Sequence, residues 1–389
     1  MDIINAWKKL VDEATYPAEF PFVSEWVSFG KGYPVKGLGG SHTPMIAHEM
    51  IELDVDYARH ILLLYLRSCL REEDGMLAAM TVAKSDSLYP KTEKGRIYQY
   101  SHPPIWSFVA KKMLEKKWDP KFAEFCFNAG MMNLKWWEEN RKDRIGLFWY
   151  IDSYPDEKNS ESGYENSPRW DFKDLGPFPC IDLSCLILLY IENLIWLADK
   201  LAQHDKKNHL VLSHQNLKKI MDRYFWDEII GIFCDYDLLA INAKKTTASF
   251  FSLVSGLAMT EDVERMIGLL LDPKEFSAPK GMPVVSMAEP AFELDLWRGT
   301  LSPSEVFWVC LGLQRYGYFE VAKNIAKTSL ENIYDTFKNT GKLWEFYNPV
   351  DGDMSKLKRK GSKKGPYPDC PGSVPVISIE KIAEGENLW

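Results

Sequence analysis

From Thr43 onward the apolar positions recur at spacings of three and four, the period of a helix with one buried face. Ala58, Ile61, Leu62, Tyr65 and Leu66 share such a face and predict a helix over Tyr57–Arg71. The same period predicts helices over Thr43–Leu53, Pro103–Glu115, Pro120–Glu139, Asp182–Gln203 and Ser213–Phe225, and later over Thr246–Met259, Glu261–Leu270, Ser302–Tyr316 and Tyr318–Thr336. Asp119 stands where an N-cap would precede Pro120, a residue suited to the first helical position. An amphipathic stretch over Ile3–Ala14 opens the chain. After it Pro17, Pro21, Gly30, Gly32, Pro34, Gly37, Gly39 and Gly40 leave little room for regular structure. Trp226–Asp237 reads as an extended excursion between helices. The tally is roughly eleven or twelve helices, with about 30 residues for each helix and its connector.

No strand-rich segment and no linker interrupts this alternation, so one all-α domain over 1–389 is expected, with a loop-rich segment at 1–40 and a tail at 353–389. Helices in this number can form a solenoid, an irregular domain, or a closed toroid of six helix pairs. A solenoid calls for a fixed internal period, and none is present. Loops rich in polar and aromatic residues follow alternate helices, which suits an (α/α)6 toroid with its mouth near 37–44, 152–171, 286–300 and 343–353.

Charge and composition narrow the partners. The net charge is −8, and the basic run Lys356–Lys364 reads as a solvated loop, so nucleic acid is not expected as a partner. Seven scattered Cys without a C-x-x-C pair point to a reduced, cytoplasmic inventory, and the seven His show no metal-ligand spacing, so neither a metal nor a cofactor is expected. Met1 leads into a charged amphipathic segment and not a secretory signal. The apolar stretch Ile181–Leu197 is broken by Asp182, Glu192 and Asn193, so no membrane partner is expected. Aromatic residues at 13%, with 14 Trp, are abundant enough to line a carbohydrate cleft as well as a core.

The candidate chemistry centres on the loop Glu161–Asp171, which sets Glu161, Glu165 and Asp171 beside Tyr164, Arg169 and Trp170. A pyranose offers an apolar C–H face and a hydroxyl edge, so aromatic faces beside carboxylates suit a sugar. A second acid, Glu345, lies in Leu343-Trp-Glu-Phe-Tyr-Asn-Pro349, and a third stretch runs Asp295-Leu-Trp297-Arg298-Gly299. Ser101-His102-Pro-Pro-Ile-Trp106 and Ser41-His42-Thr-Pro-Met45 complete the set.

These words carry a resemblance. Glu161-Ser-Gly-Tyr-Glu165-Asn-Ser-Pro-Arg-Trp170 resembles the E-S-G-x-D-x-S-x-R-W signature of trehalases and the G-x-D-N-S-P-R signature of processing α-glucosidase I and the short bacterial mannosylglycerate and glucosylglycerate hydrolases. The last group is the most similar in length. The stretch from Glu345 resembles the clan's E-x-Y-N-P-x-x-G, Trp297-Arg298-Gly299 its Y-W-R-G, and His102-Pro103-Pro104 its Q-P-P. The resemblance implies an (α/α)6 toroid and an inverting α-glycosidase acting on a short α-linked glycoside, glucosyl- or mannosyl-glycerate or a trehalose-like sugar. It implies Glu165 as general acid and Glu345 as general base, with Arg298, Trp297, Trp170, Arg169, Tyr164, His102, His42 and Tyr347 around the substrate. An inverting pair holds its carboxyls roughly 6.5–9.5 Å apart to admit a water. Three positions depart from the clan: Glu165 replaces its Asp, His102 its Gln, and His42 the Asp of W-D-T-P-F. They imply either a reshaped pocket for another sugar or lost activity. An (α/α)6 sugar isomerase or epimerase, with His as acid and base, and a non-catalytic sugar-binding toroid therefore stay open.

Overall fold

A computed structural model describes residues 2–92, 94–97, 100–153, 160–171, 177–237 and 240–389. Residues 154–159 of the expected mouth loop 152–171 lie outside the described residues. Twelve α-helices are present among the described residues: α1 (Ile3–Glu13), α2 (His42–Met50), α3 (Val55–Cys69), α4 (Trp106–Lys116), α5 (Pro120–Asn140), α6 (Ile181–Lys200), α7 (His204–Phe225), α8 (Phe251–Val254), α9 (Thr260–Leu271), α10 (Pro303–Arg315), α11 (Phe319–Thr340) and α12 (Val376–Glu384).

Their contacts close a ring. Helix α2 packs on α4, α4 on α6, α6 on α8, α8 on α10, α10 on α12, and α12 back on α2. The helices between them in sequence pack outside, α3 on α2, α5 on α4, α7 on α6 and α11 on α10, while α1 covers α12. The fold is thus the (α/α)6 toroid. The inner helices are buried nearly all round, as their composition dictates. Helix α6 is apolar and long enough to span a bilayer, but 83% of its most apolar window is buried inside the ring. The outer helices keep one apolar stripe, for example Leu210, Leu217, Met221 and Phe225 of α7.

Local chemistry sets several ends. Asp119 caps α5, accepting from the backbone N–H of Lys121 and Phe122 at 3.0 Å each, with Pro120 following as expected. Asp54 caps α3 in the same way.

The differences from the sequence reading have local causes. Thr246–Met259 is a 3-10 turn over Thr247–Phe250 followed by the short α8, because Gly256 turns the chain at φ +69°. Helix α7 starts earlier than expected, its first turns being too polar to show a period. Helix α12 was not anticipated at all, being nine residues long behind Pro375. It is nonetheless the sixth inner helix. The expected extended excursion is present as two short antiparallel ladders, Trp226–Asp227 with Ile232–Phe233 and Asp235–Asp237 with Ala240–Asn242. The glycine-rich entry is more regular than expected. Gly37–Gly39 pairs with Met80–Val82, which in turn pairs with Arg96–Ile97.

Candidate active site

The cavity opens where the inner helices begin. Its walls carry Gly40, Ser41 and His42 before and at the start of α2, His102, Pro103 and Ile105 before α4, and Asp182 on the first turn of α6. Ser302, Ser304 and Glu305 stand at the start of α10, and Gly372 and Ser373 before α12. Leu186 and Trp308, about one turn deeper on α6 and α10, and Phe251, the first residue of α8, make an apolar floor. Helix N-termini present unpaired N–H groups and partial positive charge, so their convergence favours electron-rich ligand oxygens. The volume, open mouth included, is about 1300 Å³.

Glu165 and Glu345 both line this cavity. Glu345 is nearly buried and held at both ends of its residue. Its Oε1 accepts from the Tyr367 N–H at 2.7 Å, and its own N–H donates to the Tyr367 carbonyl at 3.1 Å. The Arg359 guanidinium pairs with the same carboxylate and stacks on the Tyr367 ring, 4.0 Å from its centroid. Lys360, the next residue, places Nζ 3.7 Å from Glu165 Oε2. One short turn therefore sends a cation to each carboxylate. Asp295 fixes that turn, accepting from the N–H groups of Lys360 and Gly361 at 2.6 Å each.

Tyr164, Trp297, His42 and His102 also face the cavity. The Tyr164 and Trp297 rings meet edge to face with centroids 4.7 Å apart, and Trp297 meets Phe346 likewise at 4.9 Å. This aromatic wall runs from beside Glu165 to beside Glu345. Gly40, at φ +57°, passes between the two histidines; a Cβ there would lie 3.6 Å from ring nitrogens of both. Burial lowers both imidazoles to about 4, and His102 adds to the effect on His42, so both are neutral near pH 7. His102 Nδ1 lies 3.1 Å from the Glu161 carbonyl oxygen.

Four residues expected around the substrate stand elsewhere. Arg169 is buried in a bidentate pair with Asp235, at 2.7 and 2.8 Å, and donates to Asp182 at 2.5 Å. Two carboxylates in a dry interior hold that guanidinium more strongly than an open cavity would. Trp170 is buried, its indole N–H donating to the Tyr164 carbonyl at 2.6 Å. Arg298 forms a bidentate pair with Asp171, at 2.8 and 2.7 Å, and is absent from the cavity wall. Tyr347 is fully buried, its hydroxyl accepting from the Trp344 N–H at 3.0 Å. All four are framework. The other acids of the signature loop are framework too: Asp171 through Arg298, and Glu161 through Arg141 at 2.8 and 3.0 Å and the N–H groups of Ser101 and Ile151.

The model of the mannosylglycerate hydrolase MGH1-like glycoside hydrolase domain matches residues 43–364. The chain belongs to this family. Among curated relatives, mannosylglycerate hydrolase MGH1 of Selaginella moellendorffii is 30% identical, over 72% of this chain and 69% of its own length. An uncharacterised protein of Borreliella burgdorferi is 31% identical over 48% of this chain, and the match spans only 40% of that relative's length. A GH63 mannosylglycerate hydrolase of Thermus thermophilus, solved with Tris and D-glycerate, superposes with a TM-score of 0.79 over 98% of this chain and 100% of its own. At 17% identity that likeness shows the fold.

The sequence of this MGH1-like glycoside hydrolase singled out neither Arg359 nor Glu305 of the cavity wall, nor Lys360 beside Glu165. Arg359 and Lys360 sit in a basic run whose composition says only that it is solvated. Glu305 is a lone acid ahead of the apolar run Val306–Val309, and that isolation was a usable signal. Helix α12 brings a third contribution. Gly372 lets its leading segment press on α2, since a Cβ there would lie 2.5 Å from the His42 carbonyl oxygen.

Proposed function

We propose that this glycoside hydrolase cleaves short α-glycosides of an anionic aglycone, glucosyl- or mannosyl-glycerate, with inversion, Glu165 being the general acid and Glu345 the general base. The observation carrying this reading is the pairing of these two cavity carboxylates with cations of one turn, Glu345 with Arg359 and Glu165 with Lys360. A base must be an anion before it can activate water, and Arg359 together with the Tyr367 N–H favours that form of Glu345. An acid must give up a proton to the leaving oxygen. A glycerate carboxylate entering beside Glu165 would draw Lys360 to itself and leave the carboxyl free to donate. The relatives' printed names, mannosylglycerate hydrolases, support the same substrate class. Trp297, Tyr164 and Phe346 would offer their faces to the sugar's C–H surface.

Acid catalysis by histidine, which an isomerase would need, fits less well, because His42 and His102 are neutral imidazoles and not imidazolium acids near pH 7. Incubation with α-glucosylglycerate and α-mannosylglycerate tests the reading: release of glycerate supports it, and isomerisation of a free sugar without glycoside cleavage contradicts it. Glu165→Gln sharpens the assignment. The variant should keep part of its turnover on a glycosyl fluoride, whose leaving group needs little protonation, and lose it on the glycosylglycerate. Equal loss on both substrates would make Glu165 a positioning residue.

A further inference from the structure

One carboxyl of the cavity has no task in that pair. Glu305, on the first turn of α10, lines the wall and is only 4% exposed. Its Oε1 accepts from the Tyr164 hydroxyl at 2.9 Å. Its Oε2 has no hydrogen-bond partner among the described residues. A buried polar atom without a partner costs about 1–3 kcal/mol, so such atoms are seldom left idle. Leu186, Phe251 and the ring of Trp308 share this wall, and the Trp308 indole N–H is the one polar group among them.

On the reading that the cavity takes a sugar, we propose that Glu305 is a specificity-determining anchor whose free Oε2 hydrogen-bonds a hydroxyl of the sugar ring at the cavity floor. Several groups decide the form in which it does so. Burial disfavours its charge, as does the carboxylate of Asp182 from α6. The Thr247 hydroxyl ahead of α8, which lies near the carboxylate without the geometry of a hydrogen bond, the Tyr164 hydroxyl and the Arg169 guanidinium favour the charge. Burial dominates and raises the group to about 7. Below that pH the carboxyl is neutral. Oε1 already receives the Tyr164 proton, so the acid proton belongs on Oε2, where it points a donor at the sugar. Above that pH the donor is lost. The sugar must then share its pocket with a second buried anion beside Asp182.

Glutamine copies the neutral acid, an acceptor toward Tyr164 and a donor toward the cavity, and it does not titrate. NMR titration with D-glucose and with D-mannose is the probe, at about pH 6 and about pH 8.5. The wild-type protein should lose affinity as pH rises through about 7. Glu305→Gln should hold the affinity of the neutral form at both pH values, and Glu305→Leu should bind about tenfold more weakly at the lower one. Wild-type affinity in Glu305→Leu, or a Glu305→Gln variant as weak as Glu305→Leu, overturns the proposal. Should Glu305→Leu fail to fold, infrared difference spectra of wild type against Glu305→Gln decide. A neutral-carboxyl C=O band at about pH 6 that shifts when sugar is added supports the anchor, and a band that ignores sugar refutes it. Sugar binding without glycoside cleavage sinks the hydrolase reading and spares the anchor. Cleavage with unmoved Glu305 variants does the reverse.

Discussion

The signature loop and the basic turn answer the chain's two demands in opposite ways. The loop Glu161–Asp171 is dense in residues that look chemical. Its Glu161, Arg169, Trp170 and Asp171 are nevertheless spent on internal pairs and packing. Only Ser162, Gly163, Tyr164 and Glu165 of it reach the cavity. The turn at Arg359 and Lys360 looks like ordinary solvated charge, yet it touches both candidate catalytic carboxylates. A conspicuous motif thus marks where the chain needs a rigid bed. The residue that works on that bed can come from anywhere the ring returns the chain.

The largest effect that bears on this contrast is at Glu345. Glu345→Gln should lower kcat about 10²- to 10⁴-fold while ligand binding, read by NMR titration, stays near wild type. A variant of near-normal rate would move the base elsewhere and strip the turn of its role. Next come the two arginines. Arg169→Met leaves Asp182 and Asp235 uncompensated in the interior and should cost about 3–5 kcal/mol in chemical denaturation. Arg359→Met should change stability much less and turnover much more. If Arg169→Met folds as wild type does and Arg359→Met does not, the contrast is reversed.

A pH effect of intermediate size comes from the histidine pair. Unfolded histidines take up protons from about 6.5 downward, whereas His42 and His102 resist until about 4. Stability should therefore be full above 6.5 and fall as pH drops from 6.5 toward 4. His42→Gln with His102→Gln should flatten that slope in denaturation curves taken across the window. An unchanged slope would assign the acid loss to other groups. The smallest effect is at Lys360, which is about half exposed. Lys360→Met should raise KM for a glycosylglycerate roughly threefold to tenfold and leave the matching methyl glycoside nearly unmoved. Equal changes on both would deny it the aglycone.

Much of the fold was legible because helix period survives in sequence. Eleven of the twelve helices have a predicted counterpart over most of their length, and the signature words led to the right family. The closing helix α12 was not legible. Nine residues behind a proline hold too few turns to establish a period. Of the residues expected around the substrate, Glu165, Glu345, Tyr164, Trp297, His42 and His102 line the cavity, whereas Arg169 and Arg298 are held by aspartates. A guanidinium in a motif reads the same whether it meets a ligand or an internal aspartate; only packing decides, as Asp171, Asp182 and Asp235 do here. Glu305 shows the converse, because an acid inside an apolar helix face needs a partner and the chain supplies only half of one.

The central claim, that Glu165 and Glu345 act from opposite faces of one glycosidic bond, is tested most directly by the first anomer released. With α-mannosylglycerate or α-glucosylglycerate as substrate, proton NMR of the earliest product should show the β-sugar, which then mutarotates. An α-sugar appearing first would contradict the acid–base pair and require a covalent intermediate on one of the carboxylates.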